Sequence, residues 1–258
     1  EVMNEAGLDV INYPYDVYLP KHPGSSLIEI VTPSRQVLNQ KEDIISDDPF
    51  TKDSLLWKGW NAFSGSGDVT AEIVYANYGR KEDFETLKEL GVDIKGKIVI
   101  ARYGGNFRGY KAKFAEANGA AGLIIYTDPK DSGFTRGLVY PEGPYYNEST
   151  IQRGSLLTTD FTGDPLTPFE PALPLDGKKK IKRLDPNEAQ LHTIPVTPIG
   201  YGEAEKILGQ MKGVVVPQSW QGGLPFTYRL DGGKSLTVRL KVDQKIDFVR
   251  ATNVIGTL

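Results

Sequence analysis

Along residues 234–243 the apolar positions Leu236, Val238, Leu240 and Val242 alternate with polar ones, a period of two that predicts a strand with one buried face. Residues 9–19 and 26–31, rich in Val, Ile and Tyr, predict two more extended segments joined through 20–25. Residues 32–62 hold no sustained period and are expected to be irregular; within them Trp57 and Trp60 are expected to pack in the interior. Residues 70–78 read as a strand. In 81–90 the residues Phe84, Leu87 and Leu90 fall at helical spacing and Gly91 supplies the stop. Short β-rich runs at 97–101 and 122–126 flank a helix-like segment at 110–118 that closes at Gly119. Strand, helix and strand make a βαβ unit, so the two strands should be parallel with a right-handed crossover. Residues 194–200 then lead into 201–211, where Ala204, Ile207, Leu208 and Met211 share one helix face. The fold class predicted is α/β of the α+β kind: a mixed sheet, a few helices, and strands at both ends of the chain.

The last strand-like run, 251–258, stops on an apolar residue, Leu258. An unpaired apolar strand at a natural terminus invites aggregation, so the chain is expected to be part of a longer protein. The first residue is Glu1 rather than Met, and the opening residues have no signal-peptide layout. No apolar run approaches the roughly 18 to 20 residues that span a bilayer.

With 258 residues the chain can bury one sizeable core, or one core and a smaller satellite. Its net charge of -3 removes the electrostatic case for nucleic acid as a partner. The basic run at 178–183 is expected to be a solvated loop. Cysteine is absent, which excludes disulfides, thiolate catalysis and Cys-ligated zinc.

Candidate chemistry is sparse. His22 and His192 lie far apart, outside any His-Glu-x-x-His or His-x-Asp spacing, and each is expected on the surface or in a loop. No Gly-x-Ser-x-Gly elbow is present, so neither metal-dependent nor nucleophilic hydrolysis has a complete residue set. The stretch YGGNFRG, 103–109, stands between the 97–101 strand and the following helix. It is neither a Walker loop nor a dinucleotide fingerprint. Its glycines permit a tight turn, and Arg108 meets the positive end of the helix. Arg108 either clamps a ligand carboxylate in bidentate fashion or pairs with a carboxylate of its own chain, and both readings stand on local chemistry.

Several stretches in one order resemble the glutamate carboxypeptidase II-like zinc peptidase family: KGKIVIARYG (95–104), FRG (107–109) with Lys111, GLIIYTDP (122–129), QRG (152–154), GDPLTP (163–168), IPVTPIGY (194–201) and NVIG (253–256). The resemblance implies a protease-associated, or apical, domain at 51–258, a β-sandwich or barrel with flanking helices around the βαβ unit. Residues 1–50 would belong to the edge of the peptidase domain. It implies two zinc ions in that peptidase domain, with ligands beyond Leu258, so no zinc ligand or catalytic residue is expected in this chain and the chain alone should be inactive. In the intact protein, zinc-activated water would remove C-terminal residues from small peptides.

By resemblance Arg108 binds the C-terminal carboxylate of the substrate. Ser155 stands where the family has an Asn that contacts an acidic side chain, which puts a preference for glutamate in question. Backbone carbonyls at Thr167 and Glu170 correspond to ligands of a structural calcium; the family's Gly and aromatic residue are replaced by Phe169 and Glu170, and no firmly bound calcium is expected here. The family further implies packing against the peptidase domain, a possible homodimer of the parent and an extracytoplasmic location, where Asn147-Glu-Ser149 would be a glycosylation sequon. The alternative is a non-catalytic protein-interaction module of transferrin-receptor type, a lineage without the arginine. A stand-alone small-molecule-binding α/β domain is the third reading.

Overall fold

The computed structural model describes residues 1–258. In chain order the strands are β1 (Asp9–Pro20), β2 (Ser25–Thr32), β3 (Gln36–Val37), β4 (Asn61–Ala62), β5 (Gly67–Tyr75), β6 (Ile98–Arg102), β7 (Gly122–Tyr126), β8 (Gly154–Ser155), β9 (Gly163–Asp164), β10 (Thr167–Pro168), β11 (Val196–Ile199), β12 (Thr237–Asp243) and β13 (Ile246–Thr257). The helices are α1 (Val2–Glu5), α2 (Lys81–Glu89), α3 (Arg108–Ala117), α4 (Pro129–Ser132) and α5 (Tyr201–Leu208).

Two compact units emerge. The larger, residues 22–158 with 192–244, is built on a seven-stranded mixed sheet in the order β11-β7-β6-β5-β12-β2-β3. Strands β11, β7, β6 and β5 run parallel, with Ile98 opposite Gly122 and Ile73 opposite Ile98. Strand β12 closes antiparallel on β5 and on β2. Every residue of β6 and β7 is buried, as expected of parallel strands covered on both faces, which is why they read as unbroken apolar runs. In β12 the predicted alternation holds: Val238, Leu240 and Val242 are buried while Arg239 and Lys241 are half-buried.

The helices cover this sheet with small or branched residues. Helix α2 buries Phe84 and Leu87 but ends at Glu89, which leaves Leu90, expected in the apolar face, 47% exposed. Helix α3 buries Ala112 and Ala115, and α5 buries Ala204, Ile207 and Leu208. Residues 32–62 are irregular apart from short turns and two-residue strands. Trp57 departs from its expected burial: it is 40% exposed and meets Trp60 edge-on at 6.2 Å.

The smaller unit gathers residues 1–21, 159–191 and 245–258. Its frame is a two-stranded antiparallel ribbon in which all twelve residues of β1 pair with β13, from Asp9 opposite Thr257 to Pro20 opposite Ile246. The apolar run at 251–258 is therefore not an unpaired strand; it completes a hairpin-like ribbon with the opening of the chain. Asp16, 5% exposed, is the polar centre of this unit. It accepts from Arg250 Nε at 2.5 Å and Nη2 at 2.8 Å and from the Leu175 amide at 2.7 Å. Arg250's hydrogen bonds, reinforced by the Leu175 amide, hold the Asp16 carboxyl below its ordinary value despite burial. In the basic run the four lysines are exposed, while Arg183 turns inward to the Leu173 carbonyl at 2.5 Å and lies over the Phe248 ring.

Candidate functional site

Strand β6 ends at Arg102, the chain turns through YGGNFRG, and α3 begins at Arg108. Gly104 and Gly105 adopt φ of 96° and 76°, so this turn needs residues without a Cβ. Its underside is polar. Arg102 is almost wholly buried, donates to Asn77 Oδ1 through Nε at 3.2 Å and Nη2 at 2.8 Å, and stacks 4.0 Å over the Tyr78 ring. Tyr78 in turn donates to Asp131 Oδ1 at 2.7 Å, and burial together with that carboxylate pushes its phenol up to about 12. Lys111, one helical turn into α3, has no exposure and points its ammonium into the same region.

Arg108 itself is half-buried. Its Nη1 donates to the Ser155 carbonyl at 3.3 Å, and its Cζ lies 5.3 Å from the Phe107 ring and 5.9 Å from the Tyr103 ring. The glycines of the FRG and QRG stretches make this seat. A Cβ on Gly154 would stand 2.5 Å from Arg108 Nη1, and a Cβ on Gly109 would strike the Leu156 carbonyl oxygen. No carboxylate of the chain forms an ion pair with the guanidinium, and Nε is buried without a partner. Of the two readings open for Arg108, the internal ion pair is not found.

The walls of the seat are stiff. Strand β8 runs parallel to β4, with Asn61 opposite Gly154. Asn61, 1% exposed, donates to Tyr103 Oη at 3.1 Å and to the Gly154 carbonyl at 3.2 Å, while Tyr103 donates to the Gln152 carbonyl at 2.7 Å. Burial pushes the Tyr103 phenol up to about 12, so it is a neutral donor at any ordinary pH. Ser155 contributes its carbonyl to Arg108 and uses its hydroxyl to accept from the Leu157 amide at 3.0 Å.

Of the remaining sequence candidates, Thr167 and Glu170 lie in the smaller unit. Thr167 is buried on β10 and its carbonyl accepts the Glu170 amide at 3.2 Å. Phe169 between them keeps a left-handed φ of 62°, the conformation a glycine adopts without strain. The Thr167 and Glu170 carbonyls both come within 3.3 Å of the position a Cβ on Gly163 would take. No group of three His, Asp or Glu side chains converges in the chain, and no step is derived through a metal. His22 is exposed. His192 lies in a loop, as one of the two expectations allowed, but buries its ring between Glu116 Oε2 at 3.2 Å and the Leu156 carbonyl at 3.0 Å. Burial pushes the Glu116 carboxyl up, but hydrogen bonds from His192 and Thr193 outweigh it and hold the group at about 2.

Sequence reasoning missed Asn61 and Glu116 as parts of this site, and it quoted Lys111 with the FRG stretch without giving it a role. Lys111 also carries a local signal: it is a lysine among the buried Gly109, Ala112 and Ala115 of α3.

The sequence model of the PA domain family matches residues 69–160, a span that holds β5, α2, the βαβ unit and the Arg108 seat. Residues 69–160 form a PA domain. The whole chain is also similar to peptidase relatives. It is 37% identical over 269 residues to a "Glutamate carboxypeptidase 2 homolog" of Caenorhabditis briggsae, covering 98% of this chain and 34% of that protein. It is 32% identical over 275 residues to "Aminopeptidase NAALADL1" of Rattus norvegicus, covering 98% and 35%. The chain thus spans about a third of the length of these curated relatives. Among solved structures, the aminopeptidase from Aneurinibacillus sp. strain AM-1 aligns over 98% of this chain and 39% of that one, with a TM-score of 0.49 at 16% identity. The PA domain and the relatives named for glutamate carboxypeptidase bear out the family resemblance read from the sequence.

Proposed function

We propose that this chain is the substrate-facing part of a zinc-dependent exopeptidase, and that Arg108 receives the C-terminal carboxylate of a peptide. The observation that carries the reading is the state of the guanidinium: one nitrogen is fastened to the Ser155 carbonyl, and the buried Nε has neither partner nor counter-ion. A half-buried cation without an anion is costly, and a carboxylate accepted on its free edge would remove that cost. The PA domain and the peptidase relatives support the class of substrate. Zinc would supply activated water, held by residues outside this chain. An extracytoplasmic location belongs to the same proposal.

The relatives carry both carboxypeptidase and aminopeptidase names, and the two activities make opposite demands on Arg108. A carboxypeptidase needs the terminal carboxylate bound; an aminopeptidase does not. Hydrolysis by the intact protein of a peptide with a free C-terminus is therefore compared with that of its C-terminal amide. Charged hydrogen bonds are worth about 1.5 to 3 kcal/mol, so Arg108→Ala should raise KM for the free acid by about 10- to 100-fold and leave the amide unchanged. Equal effects on both peptides would refute the clamp.

A further inference from the structure

Beneath the turn that carries Arg108 lies a lysine with no solvent exposure. Lys111 Nζ donates to the Tyr78 carbonyl at 2.5 Å, to the Gly104 carbonyl at 2.7 Å and to Asn106 Oδ1 at 2.7 Å. An ammonium has three donors and no acceptor, so these contacts use it completely. Tyr78 belongs to the connection between β5 and α2, whereas Gly104 and Asn106 belong to the turn between β6 and α3. One cation thus ties two loops together, and all three of its partners are neutral.

The turn has little else to hold it. Among residues 104–106 the other bonds are Asn106 N to the Gly104 carbonyl, which is internal, and a long one from Asn106 Nδ2 to the Gly79 carbonyl at 3.4 Å. Gly104 and Gly105 are both at positive φ and supply no side chain to pack. Two residues beyond Asn106 stands Arg108, whose guanidinium lies so close over Gly154 that a Cβ there would stand 2.5 Å from Nη1. We propose that Lys111 is the positioning residue for Arg108, holding the turn between β6 and α3 in the geometry that places the guanidinium over Gly154. The inference rests on the carboxylate-binding reading of Arg108.

The charge environment adds a pH dependence. The groups that face the ammonium are Asp83 on α2, Arg80 ahead of it, Arg102 at the end of β6, Asp131 on α4 and the Tyr78 ring at 5.8 Å. Burial, aided by the two arginines and opposed by the two carboxylates, drives Lys111 down to about 7. A neutral amine donates only two hydrogen bonds, so the third contact turns repulsive and the tie slackens as pH rises through neutrality.

The test uses the intact protein and two variants. Lys111→Met keeps the buried stem and removes every donor; Asn106→Ala cuts one tie and leaves the ammonium in place, which guards against a variant that merely fails to fold. Hydrogen exchange of residues 103–107, corrected for the chemical rate and followed on both sides of neutral pH, reads the turn, and KM for the free-acid and amide peptides reads Arg108. Exchange should accelerate about tenfold in Asn106→Ala, with a several-fold rise in KM for the free acid at unchanged kcat and no change for the amide. Wild-type exchange should accelerate above neutral pH, and that response should vanish in Lys111→Met. Unchanged exchange in both variants overturns the proposal. So does faster exchange with an unmoved KM for the free acid while Arg108→Ala still raises it, because Lys111 would then be only structural. If Arg108→Ala itself leaves KM unmoved, the carboxylate reading falls and this one with it, a failure told apart by the Arg108 variant.

Discussion

Gly154→Ala isolates the seat of Arg108 from its charge. Gly154 has φ of 141°, where a side chain strains the backbone by about 1 to 3 kcal/mol. The added methyl would stand 2.5 Å from Nη1, 2.6 Å from Cζ and 3.0 Å from Nη2 of Arg108. Ordinary carbon contacts begin near ~3.5 Å, so the guanidinium must withdraw by about 1 Å. Because it is the far end of a flexible side chain, it moves before the backbone of β8 does. Its bond to the Ser155 carbonyl, already 3.3 Å, breaks. A displacement of about 1 Å in a substrate-positioning group costs up to ~100-fold, so KM for a free-acid peptide should rise by about 10- to 100-fold. The assay is steady-state kinetics on the acid and amide pair, with denaturant unfolding in parallel. Gly137→Ala is the control: φ there is 150°, its nearest neighbour is the Tyr145 ring, and it should lose stability without the change in KM. If Gly154→Ala loses the expected stability and binds the free acid as before, the position of the guanidinium is irrelevant and the reasoning fails.

Three further outcomes are expected. The Asp16 carboxyl is held below its ordinary 3.8 by Arg250, so its contribution is present above that pH and fades as pH falls through the lowered native value; Asp16→Asn should destabilise at neutral pH and flatten the acid limb of an unfolding titration. Glu116 falls from an ordinary 4.5 to about 2, so its anchoring of His192 and Thr193 should weaken as pH drops through that window, and Glu116→Gln should abolish this part of the pH dependence in circular dichroism melts. Phe169, 75% exposed at φ of 62°, trades left-handed strain of about 1 to 2 kcal/mol against the entropy of a glycine, so Phe169→Gly should raise denaturant stability by up to about 1 kcal/mol, and a loss would show that its contact with Phe161 outweighs the strain.

The elements of the large sheet were legible because each is set by local periodicity. The alternation at 236–242 became β12, and the apolar runs at 97–101 and 122–126 became parallel neighbours around α3. Leu90 and Trp57 were misjudged because hydrophobic character shows what can be buried and not whether a partner surface reaches it. Arg108 was singled out by local chemistry and given a substrate role by resemblance, Ser155 was singled out by resemblance alone, and the fold then placed the first against the carbonyl of the second. Asn61 escaped notice, and Lys111 was quoted without a role, because their meaning lies in acceptors contributed by distant segments.

The sequence by itself determined the strands and helices, the class of sheet, the turn at 103–109 and the absence of a thiol or a metal-ligand motif, all of which depend on neighbours within a few residues. Only the tertiary structure decided that β1 and β13 close the two ends of the chain into one ribbon, that His192 is buried against Glu116, and that Arg108 rests on Gly154 without an anion. Those facts depend on which distant backbone carbonyls and side chains share one small volume, and periodicity along a chain carries no information about that.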